Sequence, residues 1–212
     1  MSVLPLLPTS LIDSTDGCDN ELIVVEGVSA ANAVKSVRDR RLQAVLPMQG
    51  KVPNARRKSL DHLLAHPHIA DLLQSIHPLR RVETRLTEFR YERLLILADP
   101  DADGLHASIL LVLFLQQSLP GLIEQGRLFM VRAPLFGFYH NEQCVALAYS
   151  ETHAAKVQTE LHDRFNTRPD KRRYKGIASL DADLCLSLIA PDSSARRPLS
   201  INDCTEMCQM LI

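Results

Sequence analysis

Two kinds of apolar run alternate along the chain. The short kind is unbroken and rich in β-branched or leucine side chains: "ELIVVEG" (21–27), "QAVLPMQGK" (43–51), "RLLILAD" (93–99) and "GRLFMVRAP" (126–134). Runs of that length without polar alternation predict strands buried on both faces. The longer kind has helical character. Ser29 opens "SAANAVKSVRDRR" as a predicted N-cap. Residues 56–77 read as helical but divided at Pro67, because proline cannot continue the hydrogen-bond ladder. "HASILLVLFLQQSLPGLIEQ" predicts a long apolar helix bent or broken near Pro120, and "SETHAAKVQTELHDRF" (150–165) a more polar one. Beyond it, two short helices flank a strand-like "RPLSI".

Strands alternating with helices predict an α/β fold: a mainly parallel sheet with helices on both faces, and a small helical tail at the C-terminus. The expected division is a lead-in segment over 1–18, a core over 19–149 and a C-terminal segment over 150–212. Ligands of such sheets bind beyond the carboxyl ends of the strands. Glu26 and Asp99 fall at those ends, with Asp101 and Asp103 in the loop that follows Asp99.

The segment "DPDADG" (99–104) carries three aspartates at alternating positions. In an extended loop their side chains would point in a similar direction. Like charges brought together are unfavourable unless something positive neutralises them. A magnesium ion does so when one or two carboxylates hold it and water and substrate phosphate complete the octahedron. Glu26 would extend the acidic pocket, and like-charge neighbours raise a carboxyl pKa toward the range useful in general acid–base work. A solvated turn capping the next helix explains the same residues, and the segment alone does not choose between the two. A calcium loop of the EF-hand type does not fit, since a strand precedes the segment and loop position 12 would be Leu110.

Charge and composition change this picture only in part. The net charge of −1 gives no overall basic field, but basic residues gather at 35–41, 56–58, 80–85 and 171–175. Such patches suit a phosphate backbone as well as they suit solvated helix faces. Five cysteines without a CxxC pair fit reduced thiols and a cytoplasmic location. The opening "MSVLPLLPTSLIDS" lacks a basic leader, and the apolar stretch 107–115 is about half the roughly 20 residues that span a bilayer, so no membrane association is expected. His62, His66 and His68 in "DHLLAHPH" include one i, i+4 pair but no nearby cysteine, and read as surface histidines rather than a zinc site. Cys204 and Cys208, also i, i+4, read as packing residues of a terminal helix.

Five motifs in order then resemble one family, the TOPRIM region of type IIA topoisomerase B subunits, as in DNA gyrase and topoisomerase IV. "VEGVSA" (25–30) is similar to the family's "VEGDSA", "LPMQGK" (46–51) to "LPLRGK", and "DPDADGLH" (99–106) to "DADVDGSH". "APLFGF" (133–138) resembles "PPLYKV", and "RRYKGIAS" (172–179) resembles "QRYKGLGE". Upstream, "LPTSLIDS" (7–14) is similar to "LPGKLADC". The resemblance implies that Glu26 is the catalytic glutamate, acting as general acid or base for the DNA 3′-oxygen. It implies that Asp99 and Asp101 bind Mg2+, and that Asp103 occupies the third acidic position of the metal set. Lys51, Arg173, Tyr174 and Lys175 match residues expected near DNA, and His106 matches the family histidine that follows the acidic loop. The implied partners are DNA and an A-type, gyrase A-like subunit that supplies the attacking tyrosine, in a cytoplasmic, nucleoid-associated setting. Self-association is left open.

The departures bear on activity. Val28 replaces an aspartate, Ala31 and Asn32 replace a glycine pair, Gln49 replaces a basic residue, and Ile177–Ser179 replace "LGE". No P-loop and no gyrase-type ATPase domain is expected here, and none of Tyr91, Tyr139, Tyr149 or Tyr174 has the marks of a cleavage nucleophile. The leading expectation is therefore a diverged TOPRIM protein that supports strand cleavage and rejoining with a partner. The alternatives are a non-catalytic module that binds DNA or a topoisomerase and, third, a TOPRIM nuclease.

Overall fold

Successive side chains of a strand face opposite ways, and the buried strands of this chain use both faces. The computed structural model describes residues 7–15, 19–76 and 89–210, so the basic stretch at 80–85 lies outside the described residues. β1 (Glu21–Glu26) runs directly into α1 (Gly27–Val37), followed by β2 (Gln43–Met48), α2 (Leu60–Leu64), α3 (Pro67–Ile76) and β3 (Arg93–Leu97). α4 (Ala102–Ser118), α5 (Pro120–Glu124) and β4 (Leu128–Val131) complete the first half of the fold. Then come β5 (Phe136–His140), β6 (Gln143–Ala148), α6 (Glu151–Phe165), β7 (Asp170–Arg173), a 3-10 turn over Ile177–Ser179, α7 (Ala182–Ile189), β8 (Arg196–Pro198) and α8 (Ile201–Gln209).

The main sheet has the order β2-β1-β3-β4-β8. Its first four strands are parallel and β8 lies antiparallel on β4, so the fold is α/β with a mainly parallel sheet flanked by helices, as expected. Leu22, Val24, Leu46, Leu94, Ile96 and Leu128 point to one face, where they pack with α3, α4, α5 and α8. Ile23, Val25, Val45, Leu95, Leu97 and Val131 point to the other, against α1 and α7. Burying each large aliphatic side chain contributes about 1.5–3 kcal/mol, so the continuous apolar runs are what hold both helix layers to the sheet. α4 is buried from Ser108 to Leu115, which explains its apolar sequence as core. Among the described residues no helix is long and apolar enough to cross a membrane. Cys204 and Cys208 on α8 are fully buried and free, and they belong to the same core as α4.

Several boundaries differ from expectation. α1 begins at Gly27 with Glu26 at the N-cap position, so Ser29 is an exposed first-turn residue and not the cap. The chain turns from strand to helix at once, through Gly27 at φ +82°, which leaves no room for a separate cap. α4 begins four residues before His106 because Asp101 caps it. Pro67 and Pro120 each fall at a helix start, where a missing N–H costs nothing. The strand-like "RPLSI" becomes β8 one residue earlier, and its Pro198 is tolerated on a sheet edge. A second sheet of order β6-β5-β7, packed on α6, is additional to the expected strands, and its strands come from both sides of residue 149. The lead-in segment covers the β2 edge through paired backbone bonds between Ile12 and Val45.

At the amino ends of the strands, buried Glu21 collects four hydrogen bonds. Arg196 binds both carboxylate oxygens, at 2.8 and 2.7 Å, with Gln43 at 3.1 Å and Arg93 at 3.3 Å. Burial alone would raise the Glu21 pKa, but the Arg196 and Gln43 hydrogen bonds and the charges of Arg196 and Arg93 outweigh it and hold it low. A carboxyl with a lowered native pKa contributes stability above its ordinary value that is lost as pH falls. Glu21→Ala should therefore lower the urea-unfolding free energy at pH 7 by about 3 kcal/mol, because Arg196 is left buried and unpaired. The advantage of the wild type should be complete above about pH 4.5 and shrink as the pH falls through the lowered Glu21 value.

Candidate metal centre

The carboxyl ends of β1 and β3 are level, because Val25 pairs with Leu97 in parallel register. Glu26 is one residue beyond that pair and Asp99 two. Glu26 sits at the N-cap of α1, yet its side chain makes no capping hydrogen bond. One of its oxygens, Oε2, is buried with no hydrogen-bond partner among the described residues. Burial pushes the Glu26 carboxyl above the usual range, the charges of Asp99, Asp101 and Asp103 push it further, and Lys51 opposes them.

Asp99 is half-buried. Burial raises its carboxyl, the Ile177 amide that donates to Oδ1 at 2.8 Å pulls it back, and Asp101 raises it again. Asp101 accepts from the Gly104 amide at 2.8 Å through Oδ1, so the capping-turn reading of this segment is realised. A Cβ at position 104 would collide with the Asp99 carbonyl, which explains the glycine after the aspartates. Asp103 follows a different course from the alternation expected of an extended loop. It lies in the first turn of α4, exposed, and its Oδ1 is 2.7 Å from Lys51 Nζ. That ion pair lowers the Asp103 pKa.

The structure thus gathers Glu26, Asp99 and Asp101 at one end of the sheet and turns Asp103 aside to Lys51. Among the described residues no three His, Cys, Asp or Glu side chains form a ready-made metal cage. A magnesium ion asks for less than a cage, since it keeps several waters and takes only one or two carboxylates from the protein. The orphaned Oε2 of Glu26 is the observation that supports the fit.

The residues expected near DNA divide. Lys51 is engaged with Asp103, Arg173 is exposed and 3.6 Å from Glu151, and Lys175 is exposed. His106 is exposed one turn along α4. Tyr174 does not join them: its ring is buried, its hydroxyl is 2.7 Å from that of Tyr139, and it presses on Gly137. The tyrosine of the "RYKG" segment is an anchor for the small sheet rather than a surface contact. His66 and His68 lie with ring centroids 5.5 Å apart and gain no third metal-binding neighbour among the described residues. Gly176, Ile177 and Ser179 are additions to the expected site residues, and the "RYKGIAS" stretch that contains them is the signal that points to them.

A parallel sheet that offers carboxylates at its strand ends defines a class, and the comparisons with known proteins agree with it. Residues 21–133 match the Toprim domain, and the chain belongs to that family. It is 31% identical over 203 residues to the DNA gyrase B subunit of Mycobacterium leprae and 34% identical over 200 residues to that of Mycoplasmoides gallisepticum. Each alignment covers 93% of this chain and 30% of the relative, so the chain spans about a third of the length of those proteins. The chain is a topoisomerase-like Toprim module.

Because burial and neighbouring carboxylates raise the Glu26 pKa, its favourable contribution is present below about pH 4.5 and lost as pH rises through the raised value. In chelator-treated protein, Glu26→Gln should melt higher than the wild type at pH 7.5 and match it near the acid end. The gain should be at most about 1 kcal/mol, since partial exposure screens the repulsion. Thermal melts at the two pH values check this.

Proposed function

We propose that this Toprim module binds Mg2+ and DNA and supports DNA strand cleavage and rejoining together with a tyrosine-bearing A-type subunit. The buried, unpartnered Oε2 of Glu26 beside Asp99 and Asp101 carries the reading. Glu26, Asp99 and Asp101 would receive the cation, one or two of them as direct ligands and the rest through water, and Glu26, with its raised pKa, holds or releases the proton at the DNA 3′-oxygen. When bound, Mg2+ supplies charge stabilisation for the phosphate and the leaving oxygen. Lys51 turns from Asp103 to a phosphate, which frees the Asp103 carboxylate for the metal set, and His106 stands one turn further along the same helix. Arg173 and Lys175 contact the backbone on either side of the buried Tyr174. Phosphate contacts of this kind make binding strongly salt-dependent. The similarity to DNA gyrase B subunits supports DNA and a gyrase A-like protein as partners, and a cytoplasmic, nucleoid-associated setting.

A second reading is favoured by one observation. Val28, where the family motif has an aspartate, is 49% exposed at the rim of the site, an apolar surface suited to a protein contact. On that reading the chain is a non-catalytic module that binds a topoisomerase. The two are separated by one assay with supercoiled DNA, Mg2+ and an A-type subunit. Cleavage by the wild type that falls at least about a hundredfold in Glu26→Ala and Asp99→Ala supports the catalytic reading. Cleavage equal in all three proteins contradicts it. Binding of the A-type partner without cleavage supports the module, and cutting without any partner indicates a nuclease.

A further inference from the structure

The Asp99 carboxylate is held from a distance of 78 residues in sequence. The Ile177 amide donates to its Oδ1 at 2.8 Å, and the Gly176 backbone lies so close that a Cβ there would sit 2.5 Å from Oδ2. Gly176 has an extended φ of 169°, which any residue adopts, so close approach and not backbone freedom is what requires a glycine. The turn that presents these two residues is itself locked by Ser179. Its hydroxyl oxygen accepts from the Lys175 amide at 3.0 Å and the Gly176 amide at 3.3 Å, and it donates to the Gly176 carbonyl at 2.6 Å. Ile177 is fully buried against α1 and α7, and Tyr174 is pinned to Tyr139, so both flanks of the turn are fixed. Tyr174, Lys175, Gly176, Ile177 and Ser179 all belong to the C-terminal segment, beyond the stretch 21–133 that matches the Toprim domain and contains Asp99.

We infer that the Gly176–Ser179 turn is a positioning device for Asp99, which fixes one oxygen of its carboxylate on the Ile177 amide and leaves Oδ2 to face a cation. Its consequence for the cation rests on the magnesium reading above. A carboxylate on a short loop samples several rotamers, and an amide that occupies one oxygen removes that freedom before a metal arrives. Ser179 stands where the family motif has an acidic residue. Its three hydrogen bonds hold the turn here without an acidic side chain.

The test has a metal-free arm and a metal arm, both on the full chain. Without metal, exchange of the Ile177 amide proton, followed by NMR, should be at least about tenfold faster in Asp99→Ala than in the wild type, with the Leu95 amide of β3 unchanged. Equal exchange at Ile177 in the two proteins would overturn the inference. With metal, calorimetric titration of Mg2+ should give an affinity about ten- to a hundredfold weaker in Gly176→Ala, the range for loss of a group that orients a metal ligand. Ser179→Ala leaves the glycine contact in place and should weaken binding less, which keeps the test open if Gly176→Ala does not fold. Wild-type affinity in both variants would overturn the positioning role. If the wild type itself fails to bind Mg2+, the proposed function falls, and the metal-free exchange alone decides whether the turn holds Asp99.

Discussion

The burial of carboxyls at the ends of β1 and β3, sharpened by the charge of their acidic neighbours, is the constraint on which the rest of the site depends. Glu26 and Asp99 both have carboxyls raised by burial and by their acidic neighbours. The register that sets Val25 against Leu97 delivers them to the same end of the sheet, and the apolar faces of the strands fix that register. A one-residue slip would move every core side chain to the wrong face, so the sheet cannot relax to separate the charges. Burial of two hydrophobic layers thus sustains two carboxyls whose ionisation is disfavoured by their surroundings. Perturbed carboxyls of this type cluster at sites that bind or react.

The chain also limits that cost. Asp101 uses one oxygen to cap α4, Asp99 places one on the Ile177 amide, and Asp103 is neutralised by Lys51. Each partner comes from a different element: the first turn of α4, the 3-10 turn after β7, and the loop after β2. The site is therefore composite, and the C-terminal region is part of it. The small sheet reaches it through Tyr174, whose buried ring sits three residues before Ile177. At the far end of β1, Glu21 shows the opposite solution, a buried carboxylate with a full set of donors. One strand thus carries a satisfied acid at its start and, at its end, one whose Oε2 has no hydrogen-bond partner among the described residues.

Much of this is legible in the residues. The four parallel strands follow from unbroken apolar runs, and the placement of Glu26 and Asp99 at strand ends follows from where those runs stop. The small sheet is not legible. β7 is four exposed residues, "DKRR", with no apolar alternation, and β5 is interrupted by Gly137. The N-terminus of α1 differs from expectation because Ser29 has the chemistry of a cap, while the turn at Gly27 starts the helix before it. The direction of Asp103 is hidden because alternation holds for extended chain and α4 begins at Ala102. The burial of Tyr174 depends on Tyr139 and Gly137, which no local pattern links to it.

The most direct measurement is the anomalous scattering of Mn2+, an oxygen-seeking stand-in for Mg2+, in crystals of the protein. One strong peak is expected between the Glu26 and Asp99 carboxylates, with Asp101 beside it, and that peak should be lost in Asp99→Asn. A peak elsewhere, or none at metal concentrations that saturate the wild type in solution, would contradict a cation held by the repelling carboxylates.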